Sequence, residues 1–453
     1  MGIRLDWEIE TERERLKPAG EDPESIRQRR RVVLRFFLFT LVIVLLIGVL
    51  IGALALRLRQ VEWEIEQLLR GTVAAEVTAL RLGDRSAFLA LQRSASDEWM
   101  QRQAAAFGRY QQAKQTQDVN LTGRILDLVI DGMRARVQVE EIIDGAPYAR
   151  TWFYWRYEDG WRHVPPDFTF WGGVERLEAQ RAFVVYRAYD EPVARAVLAR
   201  IDDWMALGCA ATGCQPLAAL TIDIVPDEAL PIGWSSTNPD VLQIPSPFAR
   251  VARTDMLFDT AAQLEVANLL AERLVHDALA GRQPIYPADA YYLRQAVISW
   301  LVGRFVGLET NSFLIASLAG NYGEPAVRRL LSLMQPDSSM AILTEVAGVS
   351  SLDQTGLDWR DLLTWRLALE HDALASRDQN AFFALYAIDD EAIARLAGAR
   401  FAAGAQHQAP VVVSVLLDQT GDEPILRTLA QSGQNPAQPI DFRLSGGVWK
   451  RST

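Results

Sequence analysis

Residues 36–56 read FFLFTLVIVLLIGVLIGALAL, a run of 21 residues without a charged side chain. As an α-helix this run reaches about 30 Å, the thickness of the hydrocarbon core of a bilayer. A helix in a soluble core would have a regular polar face, and this run has none. A cleaved signal peptide would have a shorter apolar region, and no Arg57 and Arg59 directly after it. We therefore predict one membrane-spanning helix at 36–56.

The charges on either side of this run predict its orientation. Residues 1–35 contain nine Lys and Arg residues, whereas Arg57 and Arg59 are the basic residues close to its other end. Basic residues concentrate on the cytoplasmic side of a membrane protein. We therefore expect a cytoplasmic tail at 1–35, a single pass through the plasma membrane, and an extracytoplasmic region that contains the remaining chain.

The overall composition excludes several classes of protein. The chain has 453 residues, of which 49% are hydrophobic and 23% are charged, so it is neither a disordered chain nor a coiled-coil rod. Its 46 basic and 57 acidic residues give a net charge of −11. Because nucleic-acid binding requires a basic surface, we expect no nucleic-acid partner.

The two cysteines, Cys209 and Cys214, both follow the apolar run. In an oxidising compartment a disulfide can close this short loop, and this is the pairing we predict. Two free thiols are the alternative. A metal site is not expected from two cysteines alone.

Two segments outside the span, 57–172 and 365–453, share an order of helices followed by short strands. The stretch GDRSAFLAL at 83–91 is similar to ASRDQNAFFAL at 375–385, and WRYEDGWR at 155–162 is similar to FRLSGGVWK at 442–450. This pattern resembles the nuclear-transport-factor-like fold, also called SnoaL-like. The resemblance implies two cone-like α+β domains, each with a pocket inside a curled antiparallel sheet.

In enzymes of that fold, acids or histidines line the pocket, and we can assign no such residue here. His163 ends the last predicted strand of the first segment, and we expect it to be exposed to solvent. We expect the nearby tryptophans to fill the core or the sheet surface, although their density leaves a ligand groove as an alternative. These are Trp152, Trp155, Trp161 and Trp171.

The middle segment, 175–364, has a strand at 219–225, a short strand at 241–247, and helices at about 261–280 and 290–305. Its late elements include Asn321-Tyr322-Gly323 and Asp358-Trp359-Arg360. This order resembles the gluzincin, or peptidase MA-like, metallopeptidases. The resemblance implies a catalytic domain with zinc held by His-Glu-x-x-His on the first helix and by a Glu on the second.

All three zinc ligands implied by this resemblance are absent. The first motif corresponds to Ala271-Glu272-Arg273-Leu274-Val275, in which only Glu272, at the position of the catalytic base, remains. Gly303 stands at the position of the ligand Glu. Alanine, valine and glycine side chains cannot hold zinc, and without the metal no water is activated. The stripe Leu264, Ala267, Ala271, Leu274 or Val275, and Ala278 instead predicts an ordinary core face.

A shifted metal site is the alternative interpretation of this helix. Glu272 and His276 are one turn apart and share a face, Asp277 is adjacent, and Glu309 is a further candidate ligand. We expect His276 to be a partly exposed helix residue instead, and His371 to lie on a solvated helix face.

The sequence therefore predicts an α+β, multidomain protein with one N-terminal transmembrane helix, in which a mainly helical peptidase-like middle domain lies between two cone-like α+β domains. We expect no cofactor and no catalytic activity. The expected role is binding of a peptide, a protein or an envelope component. The alternatives are a hydrolase with its metal at Glu272 and His276, or a membrane-anchored scaffold. The oligomeric state does not follow from the sequence.

Overall fold

The computed structural model describes residues 23–214, 219–308, 312–405, 408–421 and 423–453. Residues 1–22 of the predicted tail, and the candidate ligand Glu309, lie outside the described residues. The described residues fall into two compact units, each made of residues that lie close to one another. Unit 1 contains the N-terminal helices with the segments Ile130–Ala135 and Tyr154–Val164. Unit 2 contains Gln112–Val129, Arg136–Phe153 and Pro165–Thr453.

One helix of 60 residues, α1 (Pro23–Leu82), contains the apolar run. Its length and composition are sufficient to cross a membrane, and its apolar part is exposed throughout. The helix does not stop at the end of that run. Its last turns bury Leu69, Val73, Val77 and Leu80 within unit 1. The intervening residues contain no proline, and the pairs Gln60–Glu64 and Glu66–Arg70 support the helix at i,i+4 spacing.

Two shorter helices follow, α2 (Arg85–Ala90) and α3 (Asp97–Thr116). The Asp84 carboxylate caps α2 by accepting from the Ala87 amide at 3.0 Å. The next strands are β1 (Val119–Asp131), β2 (Arg134–Ile143), β3 (Ala146–Tyr157) and β4 (Gly160–Val164). They form a sheet of order β1-β2-β3-β10, with β4 also paired to β3. The three-residue β10 (Val251–Arg253) comes from the middle segment and pairs with residues 148–150.

The middle segment begins with a mixed five-stranded sheet of order β5-β6-β7-β9-β8. The central pairs β6–β7 and β7–β9 are parallel, and the outer pairs are antiparallel. The strands are β5 (Val174–Glu178), β6 (Ala182–Arg187), β7 (Leu220–Val225), β8 (Gly233–Trp234) and β9 (Val241–Pro245). Helix α4 (Glu191–Thr212) connects β6 to β7 and packs against β6.

The end of α4 carries the cysteines. Gly213 ends the helix in the left-handed conformation, at φ +79°. The chain thereby turns back, and the Sγ atoms of Cys209 and Cys214 are bonded. A short, helix-capping loop is consequently closed covalently.

The rest of the middle segment is helical. Helix α5 (Thr260–Ala278) packs against α6 (Asp289–Val306) and against α4. Smaller helices follow: α7 (Phe313–Tyr322), α8 (Glu324–Leu333) and α9 (Ile342–Ala347).

The C-terminal segment repeats the order of the first. Three helices, α10 (Arg360–Ser376), α11 (Gln379–Ala384) and α12 (Glu391–Ala403), precede an antiparallel sheet of order β11-β12-β13-β14. Its strands are Val411–Asp418, Ile425–Gln431, Gln438–Ser445 and Val448–Arg451. The predicted α+β multidomain class is confirmed at this coarse level.

Candidate functional site

The three positions that the predicted resemblance aligns with zinc ligands lie in the core of unit 2. Ala271 and Val275 are fully buried on α5, and Gly303 is buried on α6. Ala267 and Leu274 are buried with them, whereas Leu264 at the start of the predicted stripe is 39% exposed. No side chain at these three positions can donate an electron pair to a metal. The face of α5 that carries Ala271 and Val275 is therefore apolar packing.

Glu272 of this motif and His276, which follows it, do not lie on the buried face of α5. Glu272 and His276 are both exposed on α5. Within the described ranges, no group of three or more His, Cys, Asp or Glu residues has a metal-binding arrangement. Because Glu309 lies outside those ranges, the shifted site with Glu272, His276 and Glu309 stays a hypothesis.

A cleft of about 220 Å³ lies along a neighbouring face of α5 that shares Leu274 with the buried one. Leu270, Arg273, Leu274 and Asp277 line it from the helix, at the spacing of one helical face. From the sheet side it is lined by Leu220 and Thr221 of β7 and by Trp234 of β8, together with Met205, Ala219 and Asp240. The cleft is smaller than pockets that enclose a whole small-molecule ligand, which measure about 300–1,000 Å³. Its size suits one side chain of a larger partner.

The rim of this cleft carries one cation and two carboxylates. Arg273 pairs with Asp240 at 2.8 Å and with Asp277 at 3.1 Å. Its guanidinium also lies over the Trp234 ring, 5.5 Å from the ring centroid. The rim therefore has a net charge of −1 above an apolar floor. This combination favours binding of a ligand in which an apolar side chain lies next to a basic group.

A second polar cluster is buried in unit 1, around Glu76 of α1. The Glu76 carboxylate accepts from Gln92 Nε2 at 2.9 Å and from the Tyr154 hydroxyl at 2.8 Å. His163 Nδ1 lies 2.7 Å from the same carboxylate. Burial raises the pKa of the Tyr154 hydroxyl well above its ordinary value, with Glu76 adding to the shift, so Tyr154 remains a donor. The prediction that His163 is exposed was wrong, because this carboxylate binds it in the interior.

The C-terminal segment contains a counterpart around Glu370 of α10. Arg451 Nη1 donates to both Glu370 oxygens, at 2.9 and 2.7 Å, and Arg400 Nε donates to Oε1. Glu370 and Arg451 are buried. A buried carboxylate on a helix thus binds a basic residue of the last strand in both segments.

The two clusters occupy matching positions in sequence. Glu76 precedes the capping Asp84 by eight residues, and Glu370 precedes the capping Asp378 by eight. In each segment, an isolated parallel β-bridge pairs two backbone positions: Gln92 with His163, and Tyr386 with Arg451. The aromatic pairs Phe88–Phe107 and Phe382–Phe401 have ring centroids 5.5 and 5.2 Å apart. Neither acid was predicted from the sequence, although both precede a capping aspartate by the same number of residues.

Because the polar atoms of both clusters are bonded to one another inside the core, they have the character of structural networks. Arg400 is partly exposed, and with Arg451 it lines a cavity of about 540 Å³, whereas Glu76, Gln92, Tyr154 and His163 are buried. Trp152, Trp161 and Trp171 are also buried in the core, whereas Trp155 is exposed. His371 is partly exposed, beside Asp372.

Asp190, at the start of α4, is a buried acid of unit 2. Burial raises its pKa from 3.8 to about 6, and the hydrogen bond that Ser246 Oγ donates to it at 2.5 Å opposes the shift. Because the pKa is higher in the folded state than in the unfolded state, the ionised carboxylate destabilises the fold. The free energy of unfolding therefore falls as the pH rises from about 4 through about 6.

Asp190→Asn is expected to raise the free energy of unfolding by about 1–3 kcal/mol at pH 8 and to change it little at pH 4. Asparagine still accepts from Ser246 and carries no charge. Urea denaturation at both pH values measures the difference, with the exposed Asp337→Asn as the control. An equal loss of stability at both pH values would contradict this explanation.

No family model, curated protein or solved structure matches the chain.

Proposed function

We propose that the protein is a single-pass plasma-membrane protein whose extracytoplasmic, metallopeptidase-like middle segment binds a peptide or protein segment without cleaving it. The cleft beside α5 carries this proposal. Its apolar floor and its acidic rim are arranged to hold a side chain, while the positions corresponding to zinc ligands are Ala271, Val275 and Gly303. Loss of the ligands removes the chemistry of a peptidase but not a groove beside the helix.

The chemistry of the cleft defines the expected ligand. An apolar side chain would pack against Leu270, Leu274 and the Trp234 ring. A neighbouring Lys or Arg of the ligand would approach Asp277 or Asp240, which share the single cation Arg273. We therefore expect an exposed segment in which an apolar residue lies next to a basic one.

Binding is tested with the full chain in detergent and two pools of short fluorescent peptides. Both pools contain Leu and Phe, one with Lys and Arg, the other with Asp and Glu. Fluorescence anisotropy should show tighter binding of the basic pool. Trp234→Ala is expected to weaken that binding roughly thirtyfold, the effect of losing an aromatic anchor worth about 2 kcal/mol. The exposed Trp155→Ala serves as the matched control.

A second variant separates binding from folding. Asp277 lies on the rim, and Asp277→Lys is expected to reverse the preference toward the acidic pool while leaving the fold intact. No binding of either pool, or equal effects of Trp234→Ala and Trp155→Ala, would exclude this cleft as the binding site.

Metal content tests the absence of zinc chemistry directly. The full chain, dialysed against a weak chelator, should retain far less than one zinc per molecule in elemental analysis. One metal per chain that is lost in His276→Ala would instead favour a hydrolase centred on Glu272 and His276. Peptide cleavage abolished by Glu272→Gln would overturn the binding proposal.

A further inference from the structure

The part of α1 between the apolar run and unit 1's core is exposed in the isolated chain. Leu58, Val61 and Leu68 are exposed, Ile65 is half-buried, and the first fully buried residue is Leu69. Leu68 is 66% exposed beside Leu69 at 0%. Large apolar side chains in a row on a solvated helix indicate a surface that another molecule covers.

The spacing of these residues is that of a coiled coil. Ile51, Leu54, Leu58, Val61, Ile65 and Leu68 follow one another at alternating steps of three and four residues. In heptad notation Ile51, Leu58 and Ile65 occupy the a positions, and the others occupy the d positions. β-Branched residues at a and leucine at d favour parallel pairs, and this stripe has Ile at two a positions and Leu at two d positions.

The stripe is distinct from the face of α1 that unit 1 already uses. The buried residues Leu69, Val73, Val77 and Leu80 follow a different line along the helix. Thr72 and Ala75 stand at the next a and d positions, so the large apolar stripe ends where the core of unit 1 begins.

The charges beside the stripe suit a second copy of the same chain. Arg57 is at a g position and Glu62, five residues later, is at an e position. In a parallel pair, each g residue faces the e residue five positions further along the other helix. Arg57 of each copy would thus face Glu62 of the other. In the single chain Arg57 donates only to a neutral group, Gln60 Oε1, among the described residues.

We propose that two copies of this chain pair in parallel through residues 51–68 of α1, with Ile51, Leu54, Leu58, Val61, Ile65 and Leu68 at the seam and with reciprocal Arg57–Glu62 ion pairs. Two copies inserted into one bilayer in the same orientation present this stripe at the same depth. The stripe continues the apolar run, so the two helices would meet over an unbroken length.

Gly48 and Gly52 define a competing face. They form a Gly-x-x-x-Gly pair within the apolar run, a spacing that allows close helix approach in membranes. On an ideal helix they lie roughly 140° from the centre of the heptad stripe. A pair formed through the glycines would therefore turn Val61 and Leu68 away from the contact.

Cysteine cross-linking of the full chain in lipid vesicles separates these arrangements. Val61→Cys and Leu68→Cys, at d positions, should form intermolecular disulfides at least about fivefold more than Trp63→Cys and Gln67→Cys, at f and c positions. The native Cys209–Cys214 pair is already bonded within the chain. Absence of cross-links, equal cross-linking at all four positions, or strongest cross-linking from Gly48→Cys or Gly52→Cys would overturn the proposal.

Charge reversal tests the register. Arg57→Glu should lower cross-linking through Leu68→Cys by about fivefold, because two exposed ion pairs become two repulsive ones. Arg57→Glu combined with Glu62→Arg should restore it. If the double variant cross-links no better than the single variant, the parallel register is wrong.

Discussion

Replacing Glu370 with alanine is expected to lower the free energy of unfolding by about 3–5 kcal/mol, as breaking a buried ion pair does. The substitution leaves the guanidinium groups of Arg400 and Arg451 without their carboxylate, and Arg451 is buried. Within the described residues, Glu370 is the only acid that pairs with either arginine. Arginine does not lose its proton in proteins, so the charge stays in the interior.

Urea denaturation measures this loss, and hydrogen exchange locates it. Protection should fall in α10, α12 and β14, the elements that carry Glu370, Arg400 and Arg451. Glu272→Ala, on the exposed face of α5, serves as the control and should change stability by less than about 0.5 kcal/mol. If Glu370→Ala does not fold, Glu370→Leu with Arg400→Met and Arg451→Met should recover much of the stability. A loss below about 1 kcal/mol for Glu370→Ala would show that this pair is not a structural network.

Replacing Glu76 with alanine is expected to cost about 2–3 kcal/mol, less than the change at Glu370. Gln92, Tyr154 and His163 each lose a buried acceptor, and such unsatisfied groups account for the loss. The smaller effect follows from the basic partner. The partners of Glu76 are an amide, a phenol and an imidazole, and none of them is a guanidinium that stays charged when the acid is removed.

Glu66→Ala, in the same helix, is the matched control, because Glu66 forms an exposed i,i+4 pair with Arg70. It should change the free energy of unfolding by no more than about 0.5 kcal/mol. Hydrogen exchange should show the effect of Glu76→Ala in α2 and in β4. A cost at Glu76 equal to or above that at Glu370 would contradict the role assigned to the basic partners.

The sequence predicted those features that are encoded locally. An apolar run of this length is helical in lipid, and helical periodicity located α5 at Thr260–Ala278, close to the expected 261–280. The likeness between 83–91 and 375–385 corresponds to a structural repeat, in which Asp84 and Asp378 each cap a short helix. These signals require no knowledge of distant contacts.

Features that depend on distant partners were not predicted. Strand β10 has three residues and no strand signal of its own, and it forms by pairing with residues more than a hundred positions earlier. His163 was judged as a single residue, whereas its burial depends on Glu76, 87 positions away. Glu76 and Glu370 escaped notice because glutamate is rarely buried unless it is paired. The one sequence signal that both acids share is their equal distance from a capping aspartate.

The continuity of α1 has a mechanical consequence. An unbroken helix resists bending and twisting, so residues 57–68 act as a strut about 20 Å long between the apolar run and Leu69. Turning the N-terminal part about its axis would therefore turn Leu69 and Val73 by the same angle. Each inserted residue would rotate Leu69 about the helix axis by about 100° relative to the apolar run. Seven inserted residues would nearly preserve the original orientation. Changes of seven, eleven or eighteen residues in this segment would consequently leave the relative orientation of its two ends nearly unchanged.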